Sequence, residues 1–256
     1  MVLNEHKIRV REIATRFSRS DPSREPLDLA ARIGVKLEYG DLGDKDGAYD
    51  PSRNVIFLNR TSVVERQRFT MAHEITHFLI LADEELLSDL HDAYEGETLE
   101  EAIEVLCNVG ASEILIPQSE LDSVLRKYGR GARVIPRMVA LFKVSKPAAC
   151  VALAQQLEGK AVVAILRAAK KAERSSLSVQ FSSKTAQLRN GLAIGTPIPL
   201  DHPLMIAFET GLPLQEHSYV PSSKGGKRTA FVDAHPENGV VYAILTLSDL
   251  TLSDAI

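Results

Sequence analysis

The residues best suited to chemistry are concentrated in one short run, Phe69-Thr70-Met71-Ala72-His73-Glu74-Ile75-Thr76-His77-Phe78-Leu79-Ile80. It contains His-Glu-x-x-His on apolar spacing that predicts a helix. Histidines four residues apart project from one helical face about one turn apart, so His73 and His77 can both reach one metal ion. Glu74 stands beside the first of them, where a carboxylate can act as general base toward water at that ion. The chemistry such a set performs is metal-assisted hydrolysis.

A catalytic site of this kind needs a third protein ligand and one open position. The spacing H-E-x-x-H-x-x-G-x-x-H is not met, because Ile80 and Asp83 stand where its glycine and last histidine belong. A gluzincin-type site instead takes a glutamate from the next helix, and Glu100, Glu101 and Glu104 all lie there. Glu104 opens a distinctive run, Glu104-Val105-Leu106-Cys107-Asn108-Val109-Gly110-Ala111-Ser112-Glu113-Ile114-Leu115-Ile116-Pro117. Within it Glu104 and Asn108 share a face, and Leu106, Val109, Ile114 and Leu115 can pack this helix onto the first. His91, Tyr94 and Tyr128 are of types that can donate to an oxyanion, although structural or solvent-facing roles suit each of them better.

The Glu104–Pro117 run is similar to the E-x-x-A-N-x-F-A-x-x-L-L-M-P run of the ImmA/IrrE family of bacterial metallopeptidases. Arg66-Gln67-Arg68-Phe69-Thr70-Met71-Ala72-His73-Glu74 resembles that family's R-Q-R-F-T-L-A-H-E. The resemblance continues through Leu87–Glu97, Gly195–Pro203 and Glu216–Pro221, so it spans nearly the whole chain. It implies His73, His77 and Glu104 as metal ligands, Glu74 as the base, and Zn2+ as the ion, with Mn2+ able to occupy the same set. It implies three parts: a gluzincin-like metallopeptidase domain over 1–117, a helix-turn-helix-like connector over 118–157, and a GAF-like domain over 158–256. The implied activity is regulatory: cleavage of an XRE-family helix-turn-helix repressor, which induces a radiation and desiccation response to DNA damage. Cys107 and Gly110 depart from the family's usual Ala and Phe; both changes leave the ligands untouched, and the space around Gly110 is expected to be repacked.

The elements that must position these residues read as α+β. Residues 62–82 and 98–115 are predicted helices, the second stopped by Pro117, with an acidic loop between them. Before them come helices over 4–17 and 26–33, a strand over 35–39, and a hairpin whose strands 47–49 and 55–58 flank Asp50-Pro51-Ser52-Arg53-Asn54. Residues 118–157 suggest two or three short helices, with helix-turn-helix rhythm from Val134 to Leu157. From about residue 160 the character changes, with strands at 162–166 and 239–245.

Composition bounds the rest. With 256 residues, 45% hydrophobic and 25% charged, the chain can bury a sizeable core. No run approaches the roughly 18 apolar residues of a spanning helix, and the charged N-terminus is not a signal peptide, so a cytoplasmic protein without membrane contact is expected. Cys107 and Cys150 are too few for a disulfide framework or a thiolate zinc site. Residues 1–117 carry 23 acidic and 13 basic side chains, whereas 118–157 carry 2 and 7. No Lys or Arg occurs between Arg68 and Arg126, so an acidic rim is expected beside the cleft, drawing a basic partner. The candidate recognition helix, 145–157, offers Lys146, Gln155 and Gln156 among Pro, Ala, Cys, Val and Leu. That composition weighs against direct sequence-specific DNA binding. His202, His217 and His235 are expected to be exposed or capping, Cys150 a buried helix residue, and the chain a monomer.

Overall fold

The computed structural model describes residues 2–20, 25–168, 176–222 and 228–251. Among these residues there are nine helices and two sheets, a mixed α+β architecture. The chain divides into two compact units, Met1–Ser123 with Phe142–Val144, and Val124–Leu141 with Ser145–Ile256.

The first unit begins with α1 (Val2–Ser18) and α2 (Pro26–Arg32), followed by β1 (Lys36–Gly40), β2 (Gly47–Asp50) and β3 (Val55–Asn59). The expected hairpin is present, with Gly47 opposite Leu58 and Asp50 opposite Val55. Strand β1 joins β3 on its other side in parallel, Lys36 opposite Val55, so the order is β1-β3-β2 and β2 is an edge. Gly47 is required there. A Cβ at this position would lie 2.4 Å from Thr70 Cγ2 and 2.7 Å from the Phe57 carbonyl oxygen. The missing side chain lets the edge strand lie directly against the next helix.

That helix, α3 (Val64–Ala82), buries Met71, Ala72, Ile75 and Ile80 on its inner side. Its partner, α5 (Gly96–Leu115), ends two residues before Pro117, as the sequence requires. The acidic segment between them is not a loop. It forms α4 (Glu84–Ala93), because the Asp83 carboxylate accepts from the Leu86 N–H at 3.0 Å and Leu86 and Leu90 are buried one turn apart. Asp83 also pairs with Arg9 of α1 at 3.2 Å, and Arg9 reaches Glu85 at 2.6 Å. Part of the acidic run therefore serves the architecture.

Gly110 fixes how closely α5 approaches α3. A Cβ there would lie 2.3 Å from Thr76 Cγ2 and 2.6 Å from Thr76 Oγ1. The space next to Gly110 is thus filled by Thr76, itself buried and bonded to the Ala72 carbonyl at 2.8 Å.

Next come α6 (Gln118–Tyr128), α7 (Val134–Phe142) and α8 (Lys146–Gln156), three short helices where the sequence suggests two or three. In the second unit, α8 packs on β4 (Ala161–Ala168) and β5 (Leu177–Lys184). The strands β4, β5, β6 (Leu214–Tyr219), β7 (Arg228–Glu237) and β8 (Val240–Thr251) form one antiparallel sheet in the order β5-β4-β8-β7-β6. Helix α9 (Pro203–Thr210) covers part of it. Its N-cap is His202, fully buried, whose Nδ1 accepts from the Leu204 N–H at 3.2 Å and whose Nε2 donates to the Tyr219 carbonyl at 2.9 Å. Burial lowers its pKa. No single helix among the described residues is long and apolar enough to cross a membrane.

Candidate metal centre

The edge strand β2 and the helices α3 and α5 enclose a cleft of about 700 Å³. His73, Glu74 and His77 enter it from α3, Glu104 and Asn108 from α5, and Tyr49 from β2. The three candidate ligands meet at one point. The Glu104 carboxylate places one oxygen 3.3 Å from His73 Nε2 and the other 3.3 Å from His77 Nε2. Its side chain is 58% exposed, so it faces the open cleft. Two ligands of one tetrahedral ion, each about 2.1 Å from it, lie roughly 3.4 Å apart. The donor set therefore suits a divalent ion in both chemistry and spacing.

The neighbours prepare these donors. His73 Nδ1 lies 3.3 Å from Asn108 Oδ1. With that oxygen as acceptor, the imidazole proton sits on Nδ1 and the Nε2 lone pair points into the cleft. Burial first, and the charge of His73 second, lower the His77 pKa against the pull of Glu104. A neutral imidazole is the form that binds metal. Glu74 is nearly buried, and burial, with the Glu104 charge adding to it, pushes its carboxyl up to about 7. One backbone N–H, that of Tyr49, opposes the shift by donating to Glu74.

Cys107 is a competing donor, because its sulfur and one nitrogen of each histidine lie within 4.8 Å of one another. Its side chain is fully buried, and burial, followed by the charges of Glu104 and Glu74, pushes the thiol well above its ordinary range. Glu104 differs from Cys107 in touching both Nε2 atoms and in opening to the cleft.

Other residues singled out in the sequence lie elsewhere. Glu100 and Glu101 do not line the cleft, nor does any of the nine carboxylates from Asp83 to Glu101, so the acidic run does not border it as expected. Tyr94 packs edge-on to His6 at 5.9 Å, Tyr128 lies under the Arg137 guanidinium at 4.6 Å, and His91 is exposed on α4. His217 stacks edge-on to Phe231 at 5.2 Å, and His235 lies 3.4 Å from Glu237. The tyrosine that does reach the cleft, Tyr49, has its hydroxyl on Asn54 Oδ1 at 3.0 Å and contributes through its backbone. Nothing in its side chain advertises that role.

Comparison with known proteins gives this geometry a lineage. Residues 30–154 match the IrrE N-terminal-like domain, a peptidase family. The chain is 40% identical over 249 residues to the radiation response metalloprotease IrrE of Deinococcus radiodurans, covering 92% of this chain and 76% of that protein. It belongs to the IrrE metalloprotease family. The IrrE of Deinococcus deserti, also described as a radiation response metalloprotease, is 40% identical over 238 residues, covering 90% of this chain and 85% of its own length. A solved Mycobacterium tuberculosis transcriptional regulator shares the fold, with a TM-score of 0.57 at 16% identity over 96% of this chain and 81% of that one. Membership of the IrrE family implies a metal ion, and the cleft brings His73, His77 and Glu104 together, with Cys107 close to both histidines.

Proposed function

We propose that this chain is a site-specific metalloendopeptidase of the gluzincin type, in which His73, His77 and Glu104 hold the ion and Glu74 is the general base. The observation that carries the reading is the Glu104 carboxylate spanning both histidine Nε2 atoms beside the buried Glu74. Two histidines and one carboxylate suit Zn2+ best, and Mn2+ can occupy the same set with lower affinity. When bound, the ion supplies Lewis acidity toward water and a peptide carbonyl. The protein's own steps are proton transfers: Glu74 accepts a proton from water at its carboxylate and gives it to the leaving amine. The Tyr49 N–H holds that carboxylate in place, and Asn108 keeps the His73 proton on Nδ1.

The substrate in this reading is an XRE-family helix-turn-helix repressor, whose cleavage induces a radiation and desiccation response to DNA damage; the description of two relatives as radiation response metalloproteases supports the radiation-response part. Within the functional division 1–117, 118–157 and 158–256, the middle segment is a helix-turn-helix-like connector. Its α7 and α8 are bent 118° apart across a short turn, which supports that description. Ala149, Cys150, Leu153 and Ala154 of α8 are buried, which supports packing over reading of DNA bases. The five-stranded antiparallel sheet, with α9 packed on β6, β7 and β8 and α8 on β4 and β5, supports a GAF-like third part. The decisive experiment incubates the chain with the candidate repressor in Zn2+ or Mn2+ and sequences the fragments by mass spectrometry. Cleavage at one bond, absent with Glu74→Gln, is expected. An intact repressor under both metals would overturn the reading.

A further inference from the structure

The cleft face of α3 repeats every four residues as Phe69, His73, His77 and Leu81, all lining the cleft. The central pair are the proposed ligands. The outer pair are apolar, but they differ in setting. Phe69 is half-buried, its ring 6.3 Å from that of His73, and it shares its end of the cleft with Arg66 and Asp46, which form an ion pair. Leu81 is 45% exposed, one turn beyond His77, near the end of α3. The row thus runs from a half-buried phenylalanine beside an ion pair to a half-exposed leucine.

We infer that Leu81 is a specificity-determining residue, forming an apolar subsite for a substrate side chain about two residues from the scissile bond. This inference rests on the peptidase reading above. The placement follows from two repeat lengths. Four helical residues separate His77 from Leu81, about 6 Å along the axis. An extended peptide advances about 3.3 Å per residue, so a chain whose carbonyl lies over the histidines meets Leu81 about two residues away. An exposed leucine in a polar cleft gains from being covered by an apolar side chain and loses when it faces a charge. The substrate must also be extended to reach it, so the subsite favours an unfolded or locally opened segment.

A cut-site profile tests this. The Zn2+-loaded full chain is given a tryptic peptide library from a denatured bacterial lysate, and the new termini are read by mass spectrometry. The wild type should enrich Leu, Ile, Met or Phe at one fixed position about two residues from the cut. Leu81→Ala should reduce that enrichment about tenfold, and Leu81→Arg should shift it to Asp and Glu. Leu81→Met should keep it. Metal content should be unchanged in all three. Cleavage without positional enrichment, or the same enrichment in Leu81→Arg, would overturn the inference and leave the peptidase reading standing. If the zinc-loaded wild type cuts the candidate repressor but no library peptide, the inference fails and the peptidase reading stands; if it cuts neither, both fail.

Discussion

His73 and His77 in the first unit are half-buried and His202 in the second is fully buried, and their nitrogens are spent in opposite ways. His202 gives both to the backbone, one accepting from Leu204 and the other donating to Tyr219. His73 and His77 turn their Nε2 atoms to the same carboxylate at the mouth of a cleft. A histidine whose hydrogen bonds are all closed by the main chain is architecture. Histidines whose free nitrogens converge on a third donor are equipment for binding an ion. Residue type cannot separate the two cases; the destination of each nitrogen does.

The contrast can be broken most severely at Glu74. Glu74→Gln should lower peptide hydrolysis by about a hundredfold or more while zinc stoichiometry, read by atomic absorption, stays at the wild-type value. Loss of the metal instead would mean that Glu74 is a ligand. Asn108→Ala should weaken zinc affinity by about ten- to a hundredfold, measured by chelator competition, because the His73 ring loses the acceptor that sets its tautomer. Unchanged affinity would remove Asn108 from the site.

Substitution at the helix contact should have a smaller effect without touching a donor. Gly110→Ala should cost about 1–3 kcal/mol in chemical denaturation, since its Cβ must displace Thr76 or separate α3 from α5. Part of that cost should return in Gly110→Ala/Thr76→Ala, where the methyl and hydroxyl are gone. In the second unit, His202→Ala should cost about 1–3 kcal/mol as two backbone groups lose their partner, with zinc affinity unaltered.

The last effect is a pH dependence. Burial lowers the His202 pKa in the folded protein, so the unfolded chain binds its proton first. Stability is therefore full above the unfolded value of about 6.5 and falls as the pH drops below it. His77 shifts in the same direction, so His202→Gln should shallow the acid side of the stability profile without flattening it. An unchanged profile would show that His202 does not titrate with unfolding.

How much of the fold and site is legible in the sequence follows from which signals are local. The spacing of His73 and His77, the apolar repeats of α3 and the stop at Pro117 are properties of adjacent residues, and the structure keeps them. Helix α4 was hidden because its charges outnumber its two buried leucines, and its Asp83 cap was one acid among many. The roles of Tyr49 and Thr76 were invisible for another reason. One acts through a main-chain N–H and the other by filling space left by a glycine on a different helix. The strands β5 to β7 were missed because sequences such as Leu177–Lys184 mix buried and exposed residues without strict alternation, and their pairing depends on partners far along the chain.

The sheet order has a kinetic consequence. Strand β4 is apolar on both faces and buried over its first six residues, yet its register with β8 joins Ala161 to Thr246. Three other strands and a helix are made between them. During synthesis, one side of β4 must wait unpaired, presenting an Ala-Val-Val-Ala-Ile-Leu edge, while the histidines and Glu104 have already emerged within a unit built largely from neighbouring elements. Long-range pairing of this kind is slow to close and exposed to aggregation. The second unit is therefore where overproduced chain should first fail to fold, whereas α3 and α5 of the first unit are complete before that closure.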